Sequence, residues 1–436
     1  MNEDDSEQIA NLLMQMGCSP TDRAEDADIA MLVTCSVRAK PEEKAKSKLG
    51  ELRLLKLSRP DMIIGVCGCM AQRVGESIRK GRPFIDLVVG TGQIAQIPDL
   101  IRQVVGRRRF VSALDLDREV PERVSRAGDA IKSFVPVTYG CDNYCAYCVV
   151  PYVRGRERSR PVAEIVAEVA DLARRGRKEV TLLGQNVNSY GATLDEPVDF
   201  ADLLRAVNDV EGIERIRFTT SHPKDLSDRL IEAMRDLPKV CEHIHLPVQS
   251  GDDEVLRAMN RGYMAAHYRE RVEALRAAVL DIAITTDLLV GFPGETDERF
   301  ENTLRLVEEV RFDSAFMFAF NAIPGTAAEK LPGQLPANVK NERLRRLIEV
   351  QNRITCEIND ACVGRTYEVL VEGISPRNPG RLTGLTRQNK TVNFPGGAHD
   401  YASAQTAVRC IVVRAGELVQ VRATEGHLYG FVGEVC

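Results

Sequence analysis

Six times between residues 134 and 320 the chain passes from a short apolar run to a longer amphipathic one. The apolar runs are "FVPVTYG", "EVTLLGQN", "RIRFTTSH", "HIHLPVQS", "DIAITTDLLVG" and "FDSAFMFAF". Runs such as "PVAEIVAEVADLARRG" and "DERFENTLRLVEEV" between them have helical spacing. Strands that alternate with helices must run parallel, and six such units predict a partial (β/α)6 barrel. Polar or glycine-rich groups follow each strand, at the end where barrels of this kind hold their chemistry.

The first strand runs into "YGCDNYCAYC", with Cys141, Cys145 and Cys148 in eight residues. A structural zinc site needs four ligands, commonly two C-x2-C pairs. The spacing here is C-x3-C-x2-C, with no fourth cysteine or histidine nearby. Thiolates also hold iron–sulfur clusters, usually four to a [4Fe–4S] cluster. Three thiolates leave one iron with an open position for a small chelating molecule. Arg154, Arg156, Arg158 and Arg160 follow. Four like charges so close repel one another without a partner, which makes phosphate contact an expectation to set against a merely solvated loop.

Two further segments flank the barrel. Over residues 1–106, helical and strand patterns alternate ("DIAMLVTC", "DMIIGVCGCM", "IDLVVGTG"), predicting a doubly wound parallel sheet with Cys35 and Cys69 at its carboxyl edge. Ile9, Leu12, Leu13 and Met16 share one face of the opening helix. Residues 107–132 are polar and read as a linker, with the barrel domain counted over 127–358. From 361 to 434, short strands separated by Gly/Pro turns predict a small all-β barrel. Its Tyr367, Arg381, Arg387, Lys390 and Phe394 would suit nucleic acid, against a bland reading as surface charge and core aromatics.

Composition narrows the class. The formal net charge is −5, which argues against nonspecific coating of nucleic acid. The acidic start lacks an apolar segment and is no signal peptide. No run is apolar enough to span a bilayer. The expected compartment is the cytoplasm, where twelve cysteines are poor candidates for a disulfide framework. A monomer is expected.

The C-x3-C-x-aromatic-C arrangement, with Tyr147 in the aromatic slot, resembles the signature of radical S-adenosylmethionine (SAM) enzymes. Along its whole length the chain resembles the methylthiotransferases: an N-terminal methylthiotransferase domain, a radical SAM barrel and a C-terminal TRAM domain. "VTYGCDNYCAYCVVPYVRGRERSRP", "LLGQNVNSYG", "TTSHP", "LPVQSG" and "GFPGET" are in register with that family. "GQNVNSYG" resembles the branch that modifies dimethylallyladenosine in tRNA rather than threonylcarbamoyladenosine or a ribosomal-protein aspartate. A non-catalytic iron–sulfur RNA-binding protein is the alternative from another class.

The resemblance implies two [4Fe–4S] clusters. The barrel cluster would sit on Cys141, Cys145 and Cys148, bind SAM and release a 5′-deoxyadenosyl radical. An auxiliary cluster, with Cys35 and Cys69 among its ligands, would present sulfur, and a second SAM would give the methyl group. Gly184, Gln185 and Asn186 would meet the SAM amino group, with Gln249 and Ser250 lining the same pocket. Arg154, Arg156, Arg158, Arg160, Arg387 and Lys390 would meet the tRNA anticodon stem-loop, and a flavodoxin or ferredoxin would supply electrons. Deleting residues from 361 onward should then weaken tRNA binding and leave SAM cleavage intact. Relatives open with a strand ending in Gly-Cys-Gln, whereas this chain opens in the helix after it. The first strand and a third auxiliary cysteine are therefore expected about 10–30 residues upstream of Met1.

Overall fold

The computed structural model describes residues 1–36, 39–107, 110–116, 123, 130–395 and 413–436. In the first domain the strands Ile29–Thr34, Ile63–Gly68, Leu87–Val89 and Val111–Ala113 lie parallel and side by side in chain order. Helix Ala39–Ser58 covers one face, packing Ala45, Leu49 and Leu52 against Ile64, Val66 and Val88. Helices Asn2–Gln15 and Ile97–Arg107 cover the other, packing Ile9, Leu100 and Ile101 against Cys67, Leu87 and Val89. Burial on both faces explains the near-continuous apolar runs of these strands.

Two features differ from expectation. The stretch read as a linker contains the fourth strand, Val111–Ala113, flanked by Phe110 and Leu114 packed on the core. Three residues between polar flanks carry too little periodicity to be recognised. In the opening helix, Ile9, Leu13 and Met16 pack on one core cluster, but Asp4, Asp5, Gln8 and Asn11 are buried too, which the apolar pattern did not show. That acidic start faces the barrel domain: Arg123 chelates Asp4, and Arg154 binds Asp5.

The second domain has the six expected parallel strands: Lys132–Pro136, Glu179–Leu183, Arg215–Thr219, His243–His245, Ala283–Val290 and Ser314–Ala319. They form two three-stranded sheets, joined by a parallel bridge between Ile216 and Val240 into one curved wall. The helices pack outside it around Ile165, Leu204, Tyr268 and Leu306. Helix Ala337–Asp360 then lies along the last strand and leads to the third domain.

The third domain is a closed five-stranded barrel of Thr366–Ser375, Asn378–Thr386, Thr391–Pro395, Leu418–His427 and Gly430–Val435. It caps the end of the (β/α) barrel where the strands begin. Ion pairs join Lys132 to Glu372, Arg215 to Glu368, Glu242 to Arg387, Asp281 to Arg365 and Asp313 to Lys390. Each of the five barrel residues lies at or just before the start of a strand. Among the described residues, no helix is long and apolar enough to cross a membrane.

Candidate active site and its cysteine loop

The cysteine loop is clamped at its neck. Thr138–Tyr139 pairs antiparallel with Arg158–Ser159, so the chain leaves the first strand, forms the loop and returns beside itself. Gly140 makes the turn with φ +72°, and a Cβ there would lie 2.0 Å from Arg156 O. Only glycine fits both demands. We expect Gly140→Ala to cost at least about 1–3 kcal/mol of local strain and to lower the iron bound per chain, read by colorimetric iron assay.

Within the loop, Ala146 N donates to Met259 O at 2.9 Å, and Ala146 O accepts from Ala328 N at 2.8 Å. Cys148 N donates to Cys145 O at 2.9 Å, closing the last turn. Cys141 and Cys148 each feel the charge of Cys145. Burial pushes the Cys141 thiol up to about 11 and the Cys148 thiol up to about 12. Thiols held neutral in this way become good ligands only when a cationic centre takes up the charge. Among the described residues, no three Cys, His, Asp or Glu side chains converge on a single ion. A thiol-only donor set on one loop fits an iron–sulfur group.

Arg261, which no motif marked, supports this loop. Its guanidinium lies 3.4 Å from Cys145 Sγ and 3.4 Å from the Tyr147 hydroxyl, and donates to Pro247 O at 2.8 Å. Tyr263 holds it from the other side, and its own hydroxyl donates to Val248 O at 2.8 Å. The Tyr147 ring packs in an apolar cluster with Ala146, Phe292 and Phe320, as a brace for the loop.

The ends of the first three strands meet above the wall. Gly184 is buried because a Cβ there would lie 2.4 Å from Thr138 Oγ1. Gln185 is half-buried, and Asn186 is buried with its Nδ2 donating to Asp225 at 2.6 Å. Four buried polar atoms here lack a hydrogen-bond partner: Thr138 Oγ1, Asn186 Oδ1, Ser221 Oγ and His222 Nε2. His222 Nδ1 accepts from Lys224 N, so its Nε2 carries the proton. Burial, with Arg261 and Lys224 close by, pulls this imidazole down to about 2, so it is neutral. Orphaned buried polar atoms at adjoining strand ends mark a pocket shaped for a polar ligand. After the fourth strand, Gln249 takes φ +70° and its backbone joins Asp287 and Leu289. Ser250 is fully buried and its hydroxyl meets Thr303 and Asp252 N, which makes it a turn residue rather than a pocket lining.

The basic loop differs from the expectation of free charge. The Arg154 side chain is 6% exposed and paired with Asp5. The Arg160 side chain is 5% exposed and paired with Glu168, and it also donates to Pro136 O. Arg158 is half-buried in the strand pair. Only Arg156 reaches outward, 76% exposed and held by Asp142. Carboxylates distant in the sequence supply the partners that the charge run lacks locally. In the third domain, Arg387 binds Glu242, Pro238 O and Val240 O, and Lys390 binds Asp313 and Asn359. Both are taken up in docking, and Tyr367 and Phe394 are buried core residues. Among the described residues of that domain, the exposed aromatic is Tyr429, with Arg377 5.9 Å above its ring.

Cys35 and Cys69 follow the first two strands of the N-terminal sheet, as expected. Cys69 feels the charge of Cys35 and is hydrogen-bonded by Arg154. It packs against Val149, Val153 and Ile323, so the edge of the first sheet abuts the cysteine loop of the barrel. Cys67 is buried in the core, and Cys18 is half-exposed.

A six-stranded parallel wall carrying three thiols on the loop after its first strand defines a radical SAM protein. The model of the Radical SAM superfamily matches residues 135–307, the uncharacterized protein family UPF0004 matches 1–90 and the TRAM domain matches 360–430. The chain is 50% identical over 402 residues (91% of this chain, 84% of the relative) to the tRNA-2-methylthio-N(6)-dimethylallyladenosine synthase of Acetivibrio thermocellus. It is 47% identical to the enzyme of that name from Desulforamulus reducens, over 100% of this chain and 93% of the relative. For the one from Moorella thermoacetica the identity is 46%, over 100% and 96%. The chain belongs to this family of radical SAM tRNA methylthiotransferases. Among solved structures, the radical SAM methyltransferase TsrM from Kitasatospora setae superposes with a TM-score of 0.52 at 14% identity, over 84% of this chain and 70% of that one. That likeness shows a shared fold.

Proposed function

We propose that this chain performs the reaction for which its relatives are named. It is a radical SAM enzyme that adds a methylthio group to N6-dimethylallyladenosine in tRNA. The observation that carries this is the thiol-only loop on a six-stranded wall, in a chain about half identical to those synthases along nearly its whole length. The target carbon, C2 of the adenine beside the anticodon, carries a hydrogen too inert for side-chain acid–base chemistry. The bound iron–sulfur cluster and SAM supply radical chemistry instead.

The chain's own part is to hold, orient and enclose. Cys141, Cys145 and Cys148 would hold the barrel cluster, with Arg261 steadying Cys145. Gly184, Gln185 and Asn186, and less directly Gln249, would line the SAM pocket. Cys35 and Cys69 would take part in an auxiliary cluster facing the same mouth. Arg156 is the arginine of the loop left for tRNA phosphate, and Tyr429 with Arg377 offers a face on which a base could stack. A flavodoxin or ferredoxin would deliver electrons, in the cytoplasm, to a monomer. The domains are best drawn at 1–106 extended to include Val111–Ala113, 127–358 and 361–434.

Anaerobic reconstitution with iron and sulfide tests the enzyme class. The expected result is reductant-dependent conversion of SAM to 5′-deoxyadenosine. An iron-loaded protein that leaves SAM intact would mark a non-catalytic RNA-binding protein.

A further inference from the structure

Arg261 is a cation buried without a carboxylate. The residue is 5% exposed. Among the described residues, no Asp or Glu side chain stands at ion-pairing distance from it; its partners are two tyrosines, a carbonyl and a thiol. Other buried arginines differ: Arg154, Arg160, Arg215, Arg217 and Arg343 each hold a carboxylate.

The guanidinium is nevertheless fixed. Its Nε faces the Tyr263 hydroxyl at 3.2 Å, and one Nη donates to Pro247 O at 2.8 Å. The other Nη lies 3.4 Å from both Cys145 Sγ and the Tyr147 hydroxyl. Every nitrogen is engaged inside the protein, so the group is not held out for an incoming phosphate or carboxylate. A buried charge without an opposite one is costly. Cys145 is the partner that can supply the opposite charge once iron is bound. Three thiolates around a four-iron core make an anion, and the electron that SAM cleavage requires makes it more negative. A positive charge close by, in a water-poor site, favours the more negative state.

We infer that Arg261 is the counter-charge of the barrel cluster, a positioning residue that acts through Cys145 to raise the cluster's reduction potential. The step it eases is a one-electron transfer. A flavodoxin- or ferredoxin-type donor is oxidised, the cluster is reduced, and no bond of the protein forms or breaks. The inference rests on the radical SAM reading and goes beyond the steadying of Cys145, because a brace has no need of charge.

The test is an EPR-monitored redox titration of iron-loaded protein without SAM. The Cys35→Ala/Cys69→Ala background confines the signal to the barrel cluster. Arg261→Gln should lower the ratio of reduced to oxidised cluster at a fixed potential at least about tenfold, a negative shift of about 59 mV for one electron. Arg261→Lys, which keeps the charge, should stay within about threefold of the parent. A Gln variant that loads iron and titrates like the parent would overturn the assignment, as would a Lys variant that titrates like Gln. If the Gln variant takes up no iron, the Lys variant decides: parental iron and potential support the counter-charge, and loss of iron there too overturns it. A parent protein that binds iron but shows no reducible [4Fe–4S] signal would instead count against the radical SAM reading.

Discussion

Replacing any one of Cys141, Cys145 or Cys148 with alanine is expected to abolish reductant-dependent cleavage of SAM. The three thiols share one loop, and burial holds Cys141 and Cys148 neutral until a metal centre takes up their charge. Removing one leaves two thiolates for a cluster that needs at least three from the protein to keep a single iron open. The loop itself should survive, because its neck is a strand pair and its tip is pinned through backbone atoms of Ala146 and Cys148. Each variant should therefore melt close to the parent in its iron-free form, yet release no 5′-deoxyadenosine above background. A variant that keeps an intact cluster and full cleavage would remove these cysteines from the mechanism.

The second large effect concerns the C-terminal domain. Read from sequence, it should be dispensable for SAM cleavage; the structure leads to the opposite expectation. The Arg215 side chain is fully buried, and it donates to Leu385 O at 2.7 Å, Glu368 O at 3.0 Å and the Glu368 carboxylate at 2.9 Å. Arg217 donates to Thr386 O at 2.6 Å and Arg387 O at 2.9 Å. Deleting residues from 361 strips both guanidinium groups of these acceptors. Arg215 loses its carboxylate partner, whereas Arg217 keeps Glu179 at 2.9 Å, and removing the cap opens the strand starts to water, eroding a total stability that for a domain is only about 5–15 kcal/mol. Truncation is therefore expected to yield protein that is unfolded or insoluble, lowering SAM cleavage along with tRNA binding. In the full chain, Glu368→Ala should lower the melting temperature by several degrees. A soluble fragment of residues 1–360 that melts like the parent and cleaves SAM would refute the capping role.

What was legible in the sequence follows from how far each signal reaches along the chain. The sixfold alternation and the cysteine loop are local patterns, and both appear where their spacing puts them. The parallel sheet around Cys35 and Cys69 was legible for the same reason. Arg154 and Arg160 were misread because their partners, Asp5 and Glu168, stand on other helices. A charge run shows its own repulsion but not the distant carboxylates that relieve it. Arg387 and Lys390 were misread for the same reason, since Glu242 and Asp313 become their neighbours only when the two barrels dock.

The account stands most directly on the identity of the modified nucleoside. Mass analysis of tRNA nucleosides from a strain lacking this chain should show the methylthio derivative of N6-dimethylallyladenosine gone and the unmodified N6-dimethylallyladenosine accumulated, with ribosomal proteins unchanged. An unaltered methylthio derivative, or a loss confined to threonylcarbamoyladenosine or to a ribosomal-protein aspartate, would contradict it.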